Sequence, residues 1–116
     1  MSHSKIFSHL DEIEAVVNAH GVGAKRAFLN NEDTPTKLTQ FAYSKLQPGE
    51  ICGLHTHVTM EEYFFFLSGT AKYFVGEEVY NVEKGSFLRI PANTYHELRN
   101  NNTEELEIIY FGIATD

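Results

Sequence analysis

Short apolar segments separated by turn residues run from Lys25 to the end of the chain, and this spacing limits the fold more than any other feature. The segments are rich in Val, Ile, Phe, Tyr or Thr, and the separators are rich in Gly, Pro, Asn or Asp. Strands are therefore predicted at 25–29, 36–46, 50–57, 62–68, 70–76, 78–82, 86–90, 94–100 and 105–113. Many short strands joined by tight turns favour an all-β antiparallel sandwich or barrel.

The segment 10–20, LDEIEAVVNAH, has a different pattern. It has acidic residues early and apolar residues near helical spacing, and Gly21 follows in the position of a C-cap, which predicts a short helix. A chain of 116 residues has room for one domain. We therefore expect an N-terminal arm or short helix at 1–24 and a single barrel domain at 25–116.

The aromatic run at 62–68, EYFFFLS, indicates how this barrel is covered. Successive side chains of a strand point to opposite faces. One face carries Glu62, Phe64 and Phe66, and the other carries Tyr63, Phe65 and Leu67. Because the strand is apolar on both sides, both faces need cover from a second sheet or another subunit. The outward set predicts a homodimer.

Charge and cysteine content exclude several function classes. Nine Lys and Arg against sixteen Asp and Glu give a formal net charge of −7, which disfavours nucleic acids and anionic membranes as partners. Cys52 is the only cysteine, so no internal disulfide is possible. We find no secretory signal pattern and no apolar stretch of the roughly 20 residues that span a bilayer, so a cytoplasmic location is expected.

Four residues have the chemistry and spacing of a metal site. His55 and His57 lie two apart on one strand, so their imidazoles share a face. Glu62 begins the next strand and can reach the same point if the two strands pair, and His96 would have to return from a distant strand. Three imidazoles and one carboxylate suit one divalent transition metal: iron, manganese, nickel, zinc, cobalt or copper.

An H-x-H pair by itself has a simpler interpretation, because such histidines are often solvated or held in a core. His3, His9 and His20 lack similar neighbours and are interpreted as exposed polar residues. Alternation along the strand predicts that Cys52 faces away from His55 and packs as a small hydrophobic residue.

Two motifs place these residues at fixed spacings from glycine, proline and asparagine. The first is Gly49, five residues, His55, one residue, His57, four residues, Glu62, six residues, Gly69. The second is Gly85, five residues, Pro91, one residue, Asn93, two residues, His96, three residues, Asn100. Both motifs resemble those of the cupin superfamily. That family usually has glycine where this chain has Asn93, and asparagine is the residue that next best tolerates the positive φ of such a turn.

This resemblance implies a double-stranded β-helix, a small jelly-roll barrel that holds a metal inside its mouth. It selects Glu62 rather than Glu61 as the carboxylate ligand, since Glu62 has the family's spacing to Gly69. Similar proteins include oxygenases, isomerases, decarboxylases and binders without catalysis. The expected function is a metal-dependent oxygenase or isomerase acting on a small molecule, with Glu62 and His96 as catalytic residues. The alternative is a protein that binds a small metabolite or sugar through the same metal.

Inward-facing apolar residues are the candidates for a substrate pocket. The predicted lining consists of Phe64, Phe66, Leu98, Phe41, Tyr43 and Tyr110. Arg89 would bind a carboxylate or phosphate if it faced inward, and its orientation stays open, with an exposed position favoured. Lys25 and Arg26 are either an anion contact at the rim or a solvated pair, and the solvated pair is favoured.

Overall fold

The computed structural model describes residues 5–17 and 23–116, and in these ranges the chain forms two β-sheets. The strands are β1 Val16–Val17, β2 Ala24–Asn30, β3 Leu38–Leu46, β4 Ile51–His55, β5 Met60–Ser68, β6 Ala71–Val75, β7 Glu78–Val82, β8 Phe87–Ile90, β9 His96–Arg99 and β10 Leu106–Ala114. Two 3₁₀ helices, Leu10–Glu12 and Asn31–Asp33, are the helical elements of the described residues. Neither is long or apolar enough to cross a membrane.

The sheets pair strands that are distant in the sequence. The larger sheet has the order β1-β2-β3-β10-β5-β8 and the smaller has the order β4-β9-β6-β7. Every pairing is antiparallel. The predicted all-β double-stranded β-helix is confirmed, and each of the nine predicted strands occurs with ends displaced by at most a few residues.

The predicted helix at 10–20 is wrong in its described part. Leu10–Glu12 forms one 3₁₀ turn, and Val16 and Val17 pair with Lys25 and Ala24 as a short edge strand. None of the described residues of this segment is buried, so a helix there would have no packed apolar face, on which short helices depend. The β-branched valines also favour extended backbone. The predicted C-cap Gly21 lies outside the described residues.

Alternation along β5 separates the core from an aromatic outer face. Phe64 and Phe66 point between the sheets and are 7% and 0% exposed. On the opposite face Tyr63 stacks on Phe111 of β10, while Phe65 stays 41% exposed. The second sheet therefore covers the inner face of β5, and the outer face is only partly covered.

Candidate metal centre and cavity

Strands β4 and β9 of one sheet, the loop after β4, and β5 of the other sheet bring four potential ligands together. His55 ends β4 and is the direct ladder partner of His96 at the start of β9. His57 lies in the loop after β4, and Glu62 lies on β5 of the facing sheet. One ligand atom from each of His55, His57, Glu62 and His96 lies within 4.8 Å of the others. The fold thus assembles these residues from two sheets at the mouth of the barrel.

Backbone carbonyls orient two of the imidazoles. The Nδ1 atom of His55 is 2.7 Å from the carbonyl oxygen of Gly53, and that of His96 is 2.8 Å from the carbonyl oxygen of Thr94. A carbonyl can only accept, so each Nδ1 carries the proton and donates it. In the neutral imidazole this leaves the lone pair on Nε2, the arrangement that metal-binding histidines adopt when a carbonyl holds the other nitrogen.

The distances around Glu62 leave space for an ion. Its Oε1 atom lies 3.5 Å from Nε2 of His57 and 3.5 Å from Nε2 of His96. These separations are long for hydrogen bonds. Two ligands each about 2.1 Å from an ion at a tetrahedral angle would lie about 3.4 Å apart. His96 is 1% exposed, and its Nε2 has no hydrogen-bond partner among the described residues. The donor set and its spacing therefore fit a divalent transition metal.

The turn before His96 also holds the loop that carries His57. Asn93 has φ of 59°, the left-handed conformation expected for asparagine in place of glycine. Its backbone N–H donates to the carbonyl oxygen of His57 over 2.7 Å. The turn therefore fixes two ligands at once, His57 through this bond and His96 through the strand that follows.

A cavity of about 140 Å³ is lined by three of the four candidate ligands, His55, His57 and Glu62. This is below the roughly 300–1,000 Å³ of pockets for drug-sized ligands, so it suits a small molecule. Of the predicted pocket residues, Phe64, Leu98 and Tyr110 line it. Phe66 also points inward, but it is fully buried in the core and does not reach the cavity surface.

Phe41 and Tyr43 do not line this cavity, so their prediction as pocket residues is corrected. Both lie on the outer face of the larger sheet, where Phe41 contacts Phe28 and Phe111, and the Tyr43 hydroxyl donates to Glu107. The inward positions of β3 are occupied instead by Ala42 and Ser44. Because these side chains are small, they leave room opposite the large aromatic residues of β5 and β10.

Cys52 lines the cavity with His55, contrary to the predicted alternation. Cys52 pairs with Leu98, and His55 pairs with His96, so β4 contains one more residue than β9 between these two pairs. This bulge returns both side chains to the same face. The thiol is partly buried and packs against the core, as expected of a small hydrophobic residue.

Burial raises the pKa of the tyrosine and cysteine groups of the cavity. It raises the pKa of Tyr110 to about 12, and the nearby Glu62 carboxylate adds to this rise, while a hydrogen bond with Ser44 opposes it. Burial likewise raises the pKa of Tyr73 well above its usual value. It also raises the pKa of Cys52 to about 11. At neutral pH these groups are hydrogen-bond donors.

Charged residues near the barrel divide into outer and inner sets. Arg89 is exposed and binds Glu61 over 2.6 Å on the outer face, so it does not reach the cavity. Arg26 also points away and contacts Asp11. Lys25, by contrast, lines the cavity.

Sequence reasoning missed Gln40, Ser44, Met60 and Tyr73, which line the cavity, and favoured a solvated Lys25. Lys25 shares the inward face of its ladder partner Ser44, but this register depends on which strands become neighbours, so alternation alone gave no signal for it. Of the remaining histidines, His9 is exposed next to Asp11, and His3 and His20 lie outside the described residues.

Comparison with known proteins agrees with this geometry. The family described as Cupin domain matches residues 42–112, which include all four candidate ligands. A mannose-1-phosphate guanylyltransferase of Salmonella muenchen is 36% identical over 64 residues, which are 55% of this chain and 14% of that protein. An uncharacterized protein of Methanocaldococcus jannaschii is 34% identical over 56 residues, 48% of this chain and 45% of that one. The chain thus spans less than half of each of these relatives.

Solved structures share the fold over almost the whole chain. A predicted oxalate decarboxylase from Thermotoga maritima has a TM-score of 0.85 at 24% identity, covering 94% of this chain and 99% of that one. An uncharacterized protein with a double-stranded β-helix domain from Klebsiella pneumoniae has a TM-score of 0.74 at 20% identity, covering 98% of this chain and 93% of that one. Identities this low are informative about the fold alone.

Proposed function

The chain belongs to the cupin family, and on this basis we propose that it is a metal-dependent enzyme acting on a small molecule. The ligands would be His55, His57, Glu62 and His96. The observation that carries the proposal is the buried Nε2 of His96, which lacks a hydrogen-bond partner among the described residues. It lies 3.5 Å from Oε1 of Glu62, and Glu62 lines the cavity.

A divalent ion held there would supply Lewis-acid or redox chemistry, which suits an oxygenase or an isomerase. The protein's own groups supply the rest. Phe64, Leu98 and Tyr110 give the substrate an apolar wall and exclude water. The Tyr110, Tyr73 and Cys52 groups are protonated at neutral pH, and burial raises the pKa of each further, so we assign the acceptance of a substrate proton to Glu62.

Metal content is the first test. We expect about one equivalent of a divalent transition metal in protein purified without a chelator or a nickel column, measured by elemental analysis. His96→Ala and His57→Ala should each reduce the content severalfold, since each removes one of four ligands. His9→Ala, an exposed histidine outside the cluster, is the matched control and should leave it unchanged. Equal metal content in the three variants would contradict the assignment.

Turnover is the second test, because a metal site also suits a protein that only binds its ligand. The metal-loaded protein is screened against small metabolites with and without oxygen, following thermal stabilisation and product formation together. We expect a stabilising compound to be converted, and conversion to be lost in His96→Ala while the fold survives. A compound that stabilises the protein and is recovered unchanged would favour binding without catalysis.

A further inference from the structure

Lys25 is positioned as a second contact point for the ligand of the cavity. It lies on β2 as the ladder partner of Ser44, which is 4% exposed and faces inward. On the next strands of the same sheet, Ser44 pairs with Ile108 of β10, and Ile108 pairs with Phe66 of β5. Ile108 and Phe66 are both core residues. This row of inward side chains directs Lys25 between the sheets, where it lines the cavity.

The ammonium of Lys25 has no anionic partner among the described residues. Its Nζ donates to Oε1 of Gln40 over 3.0 Å, and no carboxylate of residues 5–17 or 23–116 forms a salt bridge with it. Neighbouring basic residues differ, since Arg26 contacts Asp11 and Lys45 contacts Glu105. A half-buried cation beside apolar walls favours an anionic ligand.

Gln40 connects this cation to the candidate metal centre. Gln40 on β3 is the ladder partner of Gly112 on β10, which in turn is the partner of Glu62 on β5. Two strand spacings of roughly 4.8 Å place the backbones of Gln40 and Glu62 about 10 Å apart. Between them Gly112 has no side chain, and the hydroxyl of Thr39 and the thioether of Met60 occupy the space that a Cβ would need. Met60 lines the cavity.

We propose that the ligand of this cavity is a small metal-chelating acid that carries a second carboxylate, and that Lys25 and Gln40 bind this carboxylate. The inference rests on the proposed metal site, since the first end of the molecule binds there. The Lys25 ammonium donates to one carboxylate oxygen. The Gln40 amide, whose Oε1 accepts from Lys25, donates through Nε2 to the other. Lys25 and Gln40 are then specificity residues and take no part in the chemistry at the metal.

Matched acids test this by calorimetry on the zinc-loaded protein. The pairs have equal carbon number: tartronate with lactate, malate with 2-hydroxybutyrate, and 2-hydroxyglutarate with 2-hydroxypentanoate. In at least one pair we expect the diacid to bind about tenfold more tightly, because a charge-assisted hydrogen bond is added. Lys25→Met should remove this preference and leave the affinity for the monoacid unchanged, and Lys25→Arg should preserve part of it.

Lys72→Met is the matched control, because Lys72 donates to the amide oxygen of Asn81 over the same 3.0 Å but is exposed on β6. We expect this variant to keep the full preference for the diacid. A preference that survives Lys25→Met, or that disappears equally in Lys72→Met, would overturn the assignment. So would equal affinity of both acids in every pair.

The same titrations on metal-free protein separate the two proposals. If zinc does not strengthen the binding of any acid, the metal-dependent function fails. The role of Lys25 is then still decided by whether the metal-free protein prefers diacids and loses that preference in Lys25→Met. If zinc strengthens the binding of both acids equally and Lys25→Met has no effect, the metal site stands and the role of Lys25 is rejected.

Discussion

Individual side chains of the cavity take their chemistry from burial as much as from their own identity. Cys52 illustrates this, since it lies beside a candidate metal centre and has a side chain that binds metals well elsewhere. Burial raises the pKa of its thiol to about 11, and the charges of Glu62 and Glu97 add to the rise. A group that stays protonated is a poor ligand and a poor nucleophile.

The rate at which iodoacetamide alkylates Cys52 reports the fraction of its side chain that is thiolate. A pKa of about 11 in place of the ordinary 9.0 leaves about 100-fold less thiolate at pH 7.5, so the folded protein should react about 100-fold more slowly than free cysteine. Because the pKa is raised, the rate should grow about tenfold per pH unit from pH 7.5 up to about 10. Protein unfolded in guanidinium chloride is the control and should react like free cysteine. If the folded protein reacted as fast as free cysteine, the raised pKa of the Cys52 thiol would be contradicted.

At the scale of strands and turns, much of the site followed from the sequence. The alternation of β5 placed Glu62 and Phe64 inward, and the motif spacing placed Asn93 in a turn, where its φ is 59°. Alternation failed where the strands are irregular. The bulge of β4 brings Cys52 to the face of His55.

β3 shows a second limit of sequence reasoning. Its apolar character suggested that Phe41 and Tyr43 point inward, whereas Ala42 and Ser44 do so. An aromatic residue can be covered on the outer face of a sheet, and a cavity needs small residues on the inner one. Alternation alone cannot choose between these two arrangements. The choice depends on which strands become neighbours, and here β3 pairs with β10, from the far end of the chain.

The turn between β5 and β6 gives a prediction at this scale. Gly69 has φ of 83°, and a Cβ there would lie 2.3 Å from the backbone oxygen of Glu105. Gly49 has φ of 89°, but a Cβ there would meet nothing within 4 Å. Gly49→Ala should lower the free energy of unfolding by about 1–2 kcal/mol for the left-handed backbone alone. Gly69→Ala should lower the free energy of unfolding by about 1–3 kcal/mol more than Gly49→Ala does, because the backbone of Glu105 must also shift.

The free energies of unfolding of the two variants are compared through their urea midpoints, measured with both proteins in the same metal state. The two glycines share the strained conformation, so the difference between the variants isolates the contact with Glu105. Equal midpoints would mean that Glu105 and its loop move away at no cost in free energy. The close approach of Glu105 would then not be a reason for glycine at position 69.

At the scale of the whole molecule, the outer face of the larger sheet carries more aromatic surface than the chain itself covers. A groove on this face, which we call the outer groove, is lined by the outward side chains of Phe41, Tyr63, Phe65, Phe87, Ile109 and Phe111. Phe65 and Phe87 are ladder partners across β5 and β8, and they are 41% and 64% exposed. Adjacent apolar side chains exposed to this extent are typical of an interface.

We propose that a second copy of the chain covers the outer groove, so the protein is a homodimer. Light scattering should then give twice the chain mass of 13.2 kDa at micromolar concentration. Phe65→Glu and Phe87→Glu should shift the mass towards the monomer, because each would bury an unpaired carboxylate in the interface. Val79→Glu is the control, since Val79 is also apolar and 50% exposed but lies on β7 of the other sheet. A wild-type monomer, or dissociation by Val79→Glu alone, would contradict this assignment of the interface.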